Sequence, residues 1–158
     1  MKNSKFYRQG DVAIQRIGSF PEGIKKAGHE NGRVILAHGE VTGHAHSFSI
    51  KEAQKFTAED GTELFEVKGS PFDLTLPILQ RWRNQVKVRH PKKGIIEFNI
   101  DDVEIVGDEV RIKGDFGLLA HDEHHAHGVP AGLYQGGGAD NKVRQREYTP
   151  QGLRPVGD

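Results

Sequence analysis

The chain contains no cysteine among its 158 residues. This absence excludes disulfide bonds, thiolate nucleophiles and every cysteine-based zinc or iron–sulfur site. Any metal ion bound here must therefore be held by nitrogen and oxygen atoms. Histidine, aspartate and glutamate are the side chains that remain for that purpose.

The sequence also lacks a long hydrophobic run and a net charge. No apolar segment approaches the roughly 20 residues that a membrane-spanning helix needs, and residues 1–10 lack the apolar stretch of a secretory signal. The 22 basic and 22 acidic residues cancel, so no overall field attracts nucleic acid or an anionic membrane. We therefore expect a cytoplasmic protein that does not associate with membranes.

Glycine, proline and Asx-type turn residues break the chain into short extended segments, a pattern typical of a β sandwich or barrel. The predicted strands are 11–17, 33–38, 44–50, 63–67, 95–100, 103–106, 116–120, 132–135 and 143–148. A hairpin is expected over 103–113, turning at Gly107 and Asp108. Segment 76–88 fits both a helical stripe and a strand face, and we favour a short helix or turn followed by a strand.

The length suits one domain, because domains typically hold about 100 to 150 residues. We therefore predict a single, mostly β domain over 1–158 with little helix. Residues 136–142 contain a run of three glycines, and we expect a flexible loop there.

Histidine is abundant, with nine residues, seven of which fall in two short windows, 38–46 and 121–127. In the first window His44 and His46 share one face of a predicted strand with Phe48 and Ile50, because strand side chains alternate. A charged imidazolium is poorly tolerated on an apolar face, whereas a neutral imidazole can satisfy its lone pair by binding a metal ion. Hydrogen bonds in a polar interior are the alternative without metal. His38 is a candidate for a third ligand or for a group that supports one.

The second window offers six possible ligands in seven residues: His121, Asp122, Glu123, His124, His125 and His127. An extended conformation places alternate members on one face: His121, Glu123, His125 and His127. A helical turn instead brings together His121, His124 and His125. A solvated polar loop is the alternative without function. The pairing of two clusters far apart in the sequence favours one ion held between them.

Segments 39–50 and 128–135 resemble the two metal-binding motifs of the cupin superfamily. Cupins are small β barrels with His-x-His on one strand and a later Pro-x-Gly turn. Here His44 and His46 form the His-x-His, and its spacings to the flanking glycine and glutamate each differ from the family by one residue. The Pro-x-Gly turn is present, but Gln135 stands where the family has a histidine.

This resemblance implies a jelly-roll or cupin-like β barrel or sandwich that holds one divalent ion of zinc, iron, manganese or nickel. It does not select a reaction, because one fold carries many activities. Since histidine is missing at position 135, we look to the second window for the remaining ligands. The predicted metal ligands are His44, His46, His121, His124 and His125.

Glu123 and Glu147 are the candidate catalytic residues. Glu123 lies in the second histidine window, and Glu147 lies in an alternating segment opposite Arg144, Arg146 and Tyr148. A carboxylate that points into the interior can act as a general acid or base. The arginines could grip an anionic substrate, although ion pairs across strands are the commoner use of such residues.

A basic stretch without acidic residues contains Arg81, Arg83, Lys87, Arg89, Lys92 and Lys93. As a strand it would align several of these charges, with Trp82 as a stacking group for single-stranded nucleic acid. Alternatively, Trp82, Val86 and Val88 anchor the segment to the core while the charges stay in water. The second interpretation is stronger, so nucleic acid is the less favoured partner.

The leading hypothesis is a divalent-metal-binding protein, acting as a metal-dependent enzyme on a small-molecule substrate. A non-catalytic metal-binding or sensing module is one alternative. A nucleic-acid-associated protein that uses residues 81–93 is the other. A homodimer is compatible with the exposed edge strands of a jelly roll.

Overall fold

The computed structural model describes residues 5–38, 45–122, 124–144, 146–149 and 152–155, with the backbone alone at 139, 146–149 and 152–155. The described part consists mainly of strands, which confirms the prediction of a mostly β fold with little helix. Short 3-10 turns occur at Ile100–Asp102 and Ala139–Asn141. Within the described ranges, no helix has the length and apolar character needed to cross a membrane.

The described strands are, in chain order, β1 (Phe6–Gln9), β2 (Val12–Ile17), β3 (Lys25–Lys26), β4 (Arg33–His38), β5 (Ala45–Ser49), β6 (Ala53–Thr57), β7 (Glu63–Val67), β8 (Ser70–Pro77), β9 (Gln80–Trp82), β10 (Gln85–His90), β11 (Gly94–Asn99), β12 (Glu104–Val106), β13 (Glu109–His121), β14 (His124–Pro130), β15 (Gly132–Gly136), β16 (Arg146–Thr149) and β17 (Gly152–Pro155).

These strands form two large sheets arranged as a β sandwich. The six-stranded sheet has the order β1-β2-β15-β7-β6-β3, and the nine-stranded sheet has the order β4-β5-β13-β14-β11-β10-β9, with β8 and β12 also paired to β13. Strands β16 and β17 make a separate two-stranded sheet. The described strands do not close into a barrel, so of the predicted alternatives the sandwich is the one observed.

Two hydrophobic cores lie on either side of the long strand β13. The first core packs between the two large sheets and contains Tyr7, Val12, Ile14, Val34, Leu36, Ala37, Phe48, Ala53, Phe65, Val67, Leu119, Val129, Tyr134 and Val143. The second core lies within the nine-stranded sheet, which curls on itself, and contains Phe72, Val86, Val88, Ile96, Phe98, Val110, Ile112 and Phe116. The C-terminal half of β13 serves the first core, and its N-terminal half serves the second.

The predicted hairpin at Gly107 is confirmed, since β12 and β13 pair antiparallel around it. Of the expected short helix or turn in 76–88, the helix is not observed: the segment forms the end of β8, β9 and much of β10, with a bend at Leu79 and a turn at Arg83 before β10. Val86 and Val88 alternate with polar residues and are fully buried in the second core. Burial of that alternating face outweighs the helical spacing of the apolar residues.

Candidate metal centre

Three histidines from three neighbouring strands lie side by side at one end of the sandwich. Ala120 of β13 is paired with Ser47 of β5, which places His121 next to His46 across the two strands. His121 is in turn paired with His124 at the start of β14. The ring centroids are 4.1 Å apart for His46 and His121, 5.0 Å for His121 and His124, and 5.8 Å for His46 and His124. We call these three residues the histidine row.

A tight hairpin creates half of this row. The pairing of His121 with His124 leaves only Asp122 and residue 123 between the two strands. A register shift between Leu119 and His121 precedes the turn, and such irregularities often redirect side chains near functional sites. The second window therefore adopts neither of the two expected conformations, extended or helical. The hairpin instead pairs His121 directly with His124, with two residues between them in the turn.

The row runs from the interior to the surface. His46 is only 3% exposed and shares the inward face of β5 with Phe48, which is fully buried. His121 is partly exposed, and His124 is exposed. Solvent therefore reaches one end of the row, while the other end borders the first core.

Gln9, at the end of β1, fixes the orientation of the His46 ring. Its Nε2 donates hydrogen bonds to the backbone oxygens of Leu119 and His125, at 2.8 and 3.0 Å. Its Oε1 therefore faces His46 Nδ1, which donates to it at 2.9 Å. The neutral His46 ring thus carries its hydrogen on Nδ1 and its lone pair on Nε2. Metal-binding histidines typically donate the second ring N–H in this way.

Asp11 lies beside the free nitrogen of His46. Its Oδ1 is 3.7 Å from His46 Nε2, which is too long for a hydrogen bond. Two ligands of one tetrahedral ion, with bonds of roughly 2.0–2.2 Å, lie about 3.4 Å apart. The other oxygen, Oδ2, accepts a hydrogen bond from Arg144 Nη1 at 2.5 Å, and Arg144 Nη2 donates to the backbone oxygen of His38. Arg144 therefore holds the carboxylate in place beside the row.

The electrostatic environment keeps His46 uncharged. Burial and, to a smaller extent, nearby His121 lower the pKa of His46 to about 4, although the carboxylate of Asp11 opposes them. At about pH 7 the ring is neutral, because its pKa lies well below the usual value of about 6.5. A neutral imidazole is the form that binds metal ions.

The turn between β1 and β2 packs directly over the row. Gly10 adopts a positive φ of 60°, and a Cβ atom at this position would lie 2.8 Å from His124 Nε2 and 3.3 Å from His46 Cε1. Any side chain here would push against the histidines. Glycine is therefore required both by the backbone conformation and by the close approach.

Among the remaining predicted ligands and catalytic residues, the structure describes the side chain of His125 alone. His44 and Glu123 lie outside the described residues, and Glu147 is described by its backbone alone, in β16. His125 is exposed and, as the neighbour of His124 in a strand, points to the opposite face. His38 forms an exposed ion pair with Glu30 at 3.0 Å.

As they stand, the described histidine and acidic side chains include no group of three or more arranged to hold a metal ion. The planes of the His46 and His121 rings are inclined by only 24°, so the rings stack. Stacking turns ring faces, rather than nitrogen atoms, toward each other. Rotation of the more exposed rings is needed before their nitrogens can converge on one point.

Glu52 and Gln135, which lie near the positions of the family's glutamate and histidine, make other contacts. Glu52 Oε1 accepts a hydrogen bond from the backbone N–H of Leu118 at 3.1 Å, and Oε2 accepts one from Ser70 Oγ at 2.8 Å. Gln135 Nε2 donates to Gln15 Oε1 at 3.3 Å. Both side chains therefore link strands within the sandwich.

His127 is buried apart from the row. Its Nδ1 donates to the backbone oxygen of Gly128 at 3.0 Å, and its ring meets the edge of the Tyr7 ring at 5.9 Å. Its Nε2 is buried without a hydrogen-bond partner among the described residues. Burial lowers the pKa of His127 below the ordinary value. The ring is therefore held neutral inside the first core.

The basic stretch does not present a continuous charged face. Gln80 is paired with Lys87, whereas Arg81 is paired with Val86, so Arg81 and Lys87 point to opposite faces of the sheet. Arg83 lies in the turn between β9 and β10, with a positive φ of 55°. The charges of residues 81–93 are thus divided between two faces and a turn.

Comparison with protein families finds one model, described as a domain of unknown function (DUF8820), which matches residues 8–99. This match covers more than half of the chain. The chain belongs to the DUF8820 family. The DUF8820 match includes Gln9, Gly10, Asp11 and His46, and it ends before His121 and His124. Comparison with curated proteins and with solved structures finds no match.

The sequence analysis did not identify Gln9, Asp11 and Arg144 as parts of this site. No local signal in the sequence shows that the turn at Gly10 lies over a histidine on the opposite sheet. Asp11 follows this turn, but an acidic residue in such a position does not by itself indicate a metal ligand. Its place beside His46 becomes clear only when the two sheets are seen to face each other.

Proposed function

We propose that this chain binds one divalent metal ion at the histidine row and acts as a metal-dependent enzyme on a small-molecule substrate. His46, His121 and His124 supply nitrogen ligands in this proposal, and Asp11 supplies an oxygen ligand. The observation that carries the proposal is the His46 ring, whose Nδ1 is held by Gln9 at 2.9 Å while Nε2 faces Asp11 without a hydrogen bond.

A metal ion would account for the placement of Asp11 beside His46. Neutral imidazoles have little to gain from lying next to one another, and protonated ones would repel. In the neutral tautomer set by Gln9, His46 Nε2 carries a lone pair and has no hydrogen to donate. Asp11 Oδ1, 3.7 Å away, is an acceptor as well, so the two atoms cannot hydrogen-bond to each other. An ion between the two atoms would satisfy both.

The ring movement that the site requires falls at the exposed end of the row. His124 begins β14 beside the hairpin turn and is exposed, so its side-chain torsions can change at low cost. His46, which is buried, already has Nε2 beside Asp11. The fixed ligand pair thus lies inside, and His124 lies at the solvent.

Imidazole and carboxylate ligands suit zinc, iron, manganese and nickel. Any of these ions would supply Lewis acidity to a bound substrate. The exposed side of the row, at His124, gives a small substrate access to the ion. Glu123 and Glu147 remain the proposed acid or base groups.

Titration of metal-stripped, untagged protein with Zn²⁺ and Ni²⁺ by calorimetry tests the proposal. We expect about one ion per chain, with His46→Ala and Asp11→Asn each weakening binding by about tenfold or more. His29→Ala is the matched control, because His29 is exposed and distant from the row in the sequence. Binding that is absent in the wild type, or equal in all variants, would overturn the proposal.

A closed, non-catalytic metal site is the alternative, favoured by the turn at Gly10 that covers the row. The two functions differ in whether the ion keeps an exchangeable position. Azide added to the Co²⁺-substituted protein should change its visible absorption if a position is open. An unchanged spectrum would favour the non-catalytic module while leaving metal binding intact.

A further inference from the structure

Part of the nine-stranded sheet extends beyond the six-stranded sheet and leaves one face open. Strands β11, β10 and β9 follow β14 at this end of the sheet, and β1 is the edge strand of the opposite sheet. Asn99 Nδ2 donates to the backbone oxygen of Phe6 at 3.2 Å, so the edge of β1 rests on β11. Strands β11, β10 and β9 form the floor of a groove, and β1 forms its wall.

The strand register assigns the polar residues of these strands to the open face. Lys87 is paired with both Gln80 and Glu97, and Gln85 is paired with both Trp82 and Asn99. Residues paired across a sheet point to the same side. The opposite side carries Val86, Val88, Ile96 and Phe98, which are fully buried in the second core.

Two cavities follow this face and share Gln85. One has a volume of about 290 Å³ and is lined by Gln80, Trp82, Gln85, Lys87 and Glu97. The other has a volume of about 420 Å³ and extends to Lys5 and Arg8 at the edge of β1. Small-molecule sites typically have volumes of roughly 300–1,000 Å³. The two cavities together offer an elongated site of that size.

Trp82 forms one end of the groove and is unusually exposed, at 66%. It ends the short edge strand β9, and the guanidinium of Arg83 lies 5.6 Å from the centre of its ring. A tryptophan exposed beside a polar cavity is typical of a binding surface, because its large apolar area gains little from contact with water.

The lining of the cavity beside Trp82 carries no net charge. Lys87 Nζ and Glu97 Oε1 lie 3.9 Å apart and balance each other, and Gln80 and Gln85 are amides. Asp101 lines the second cavity along with the two cations at the edge of β1. A phosphate group beside Trp82 would meet the Glu97 carboxylate, whereas a neutral ligand rich in hydroxyl groups would find both donors and acceptors.

We propose that this groove binds a neutral saccharide, with the apolar face of one sugar ring on Trp82 and its hydroxyl groups on Gln80, Gln85, Lys87 and Glu97. This site is separate from the histidine row, so it does not depend on the proposed metal function. The aromatic ring supplies the apolar contact, and the polar floor supplies orientation and specificity.

Trp82 is the single tryptophan of the chain, so its fluorescence reports directly on the groove. Labelled wild-type protein is screened on an array of neutral glycans, and the strongest binder is titrated against tryptophan fluorescence at low and high salt. We expect a saturable change that is insensitive to salt, since no net charge is neutralised. A short oligothymidylate serves as the nucleic-acid probe.

Calorimetry with the same glycan then separates the groove from the rest of the surface. Trp82→Ala and Glu97→Gln should each weaken binding by about tenfold or more. Leu79→Ala is the matched control, because Leu79 is 50% exposed near Trp82 but does not line the groove. Circular dichroism confirms that the variants remain folded. Failure of the whole array, equal binding by all variants, or salt-dependent binding of the oligothymidylate in place of glycans would overturn the proposal.

Discussion

The two cores of this protein differ in what they bury. The second core contains only aliphatic residues and phenylalanine, and its Phe72, Phe98 and Phe116 rings meet edge to face at 5.2–6.1 Å. The first core includes two tyrosines, and buried His46 and His127 lie beside it. Burying polar groups costs stability unless they are paired. The difference indicates that the second core serves stability, whereas the first also borders the proposed metal site.

Both cores use the same strand, β13. Its N-terminal half pairs with β8 and β12, and its C-terminal half pairs with β14 and β5. His121 therefore lies at the end of β13 that pairs with β5 and β14, beside the first core. We therefore predict that a substitution in the second core lowers stability alone. A substitution beside the first core should change metal binding as well.

The largest effect is expected from Phe98→Ala in the second core. This change removes one of the three rings that contact one another, and we expect a loss of about 3–5 kcal/mol in the free energy of unfolding. Chemical denaturation measures the loss. Zn²⁺ affinity of the folded variant should stay close to that of the wild type, and a parallel loss of affinity would show that the two cores are not separable in function.

Gln9→Leu should lower stability less than Phe98→Ala does, and it should also lower the affinity for the metal ion. Removing the amide leaves the Leu119 and His125 carbonyls and His46 Nδ1 without their partner, at a cost of about 2–3 kcal/mol. Loss of a group that orients a ligand typically reduces metal affinity by about 10–100-fold. Denaturation and calorimetry report the two effects. Unchanged affinity would mean that the orientation of His46 does not matter for binding.

Gly10→Ala tests the close approach over the row, with Gly107→Ala as its matched control. Both glycines have a positive φ, 60° and 63°, but a Cβ at Gly107 would meet nothing within 4 Å. Each change should therefore cost about 1–2 kcal/mol from the backbone conformation. Only Gly10→Ala should also weaken Zn²⁺ binding, because its Cβ displaces His124. Equal affinities in the two variants would contradict the contact.

His127→Leu should alter the pH dependence of stability more than stability itself. The pKa of His127 is lower in the folded state than the unfolded value of about 6.5, so the unfolded chain takes up the proton first. The wild type should therefore lose stability as the pH falls below about 6.5. Denaturation in the presence of a chelator should show a shallower fall in the variant. An identical fall would mean that His127 does not contribute, leaving His46 as the main titrating group.

Local patterns in the sequence predicted much of the fold. Alternating residues and turn residues identified the strands at 33–38 and 63–67 and the hairpin at Gly107, because these features depend on neighbours along the chain. Segment 76–88 was harder, since the same apolar residues fit two periods. Its strand conformation depends on pairing and burial in the second core, which are long-range effects.

The candidate site was only partly accessible to sequence analysis. The inward position of His46 beside Phe48 follows from strand alternation. The proximity of His46 to His121, however, requires β5 to pair with β13, 60 residues or more along the chain. The choice between His124 and His125 depends on the length of the hairpin turn, since a shift of one residue moves a side chain to the other face. Gln9 and Asp11 belong to the other sheet, so their roles depend on how the sheets face each other.

The most direct test of the metal site compares two adjacent histidines. Untagged wild-type protein, His124→Ala and His125→Ala are purified in parallel, and bound transition metals are quantified by mass spectrometry. His124 belongs to the histidine row, whereas His125 does not. We therefore predict about one ion per chain in the wild type and in His125→Ala, and a strong loss of metal in His124→Ala. Absence of metal from the wild type, or loss in His125→Ala with retention in His124→Ala, would contradict the proposed site.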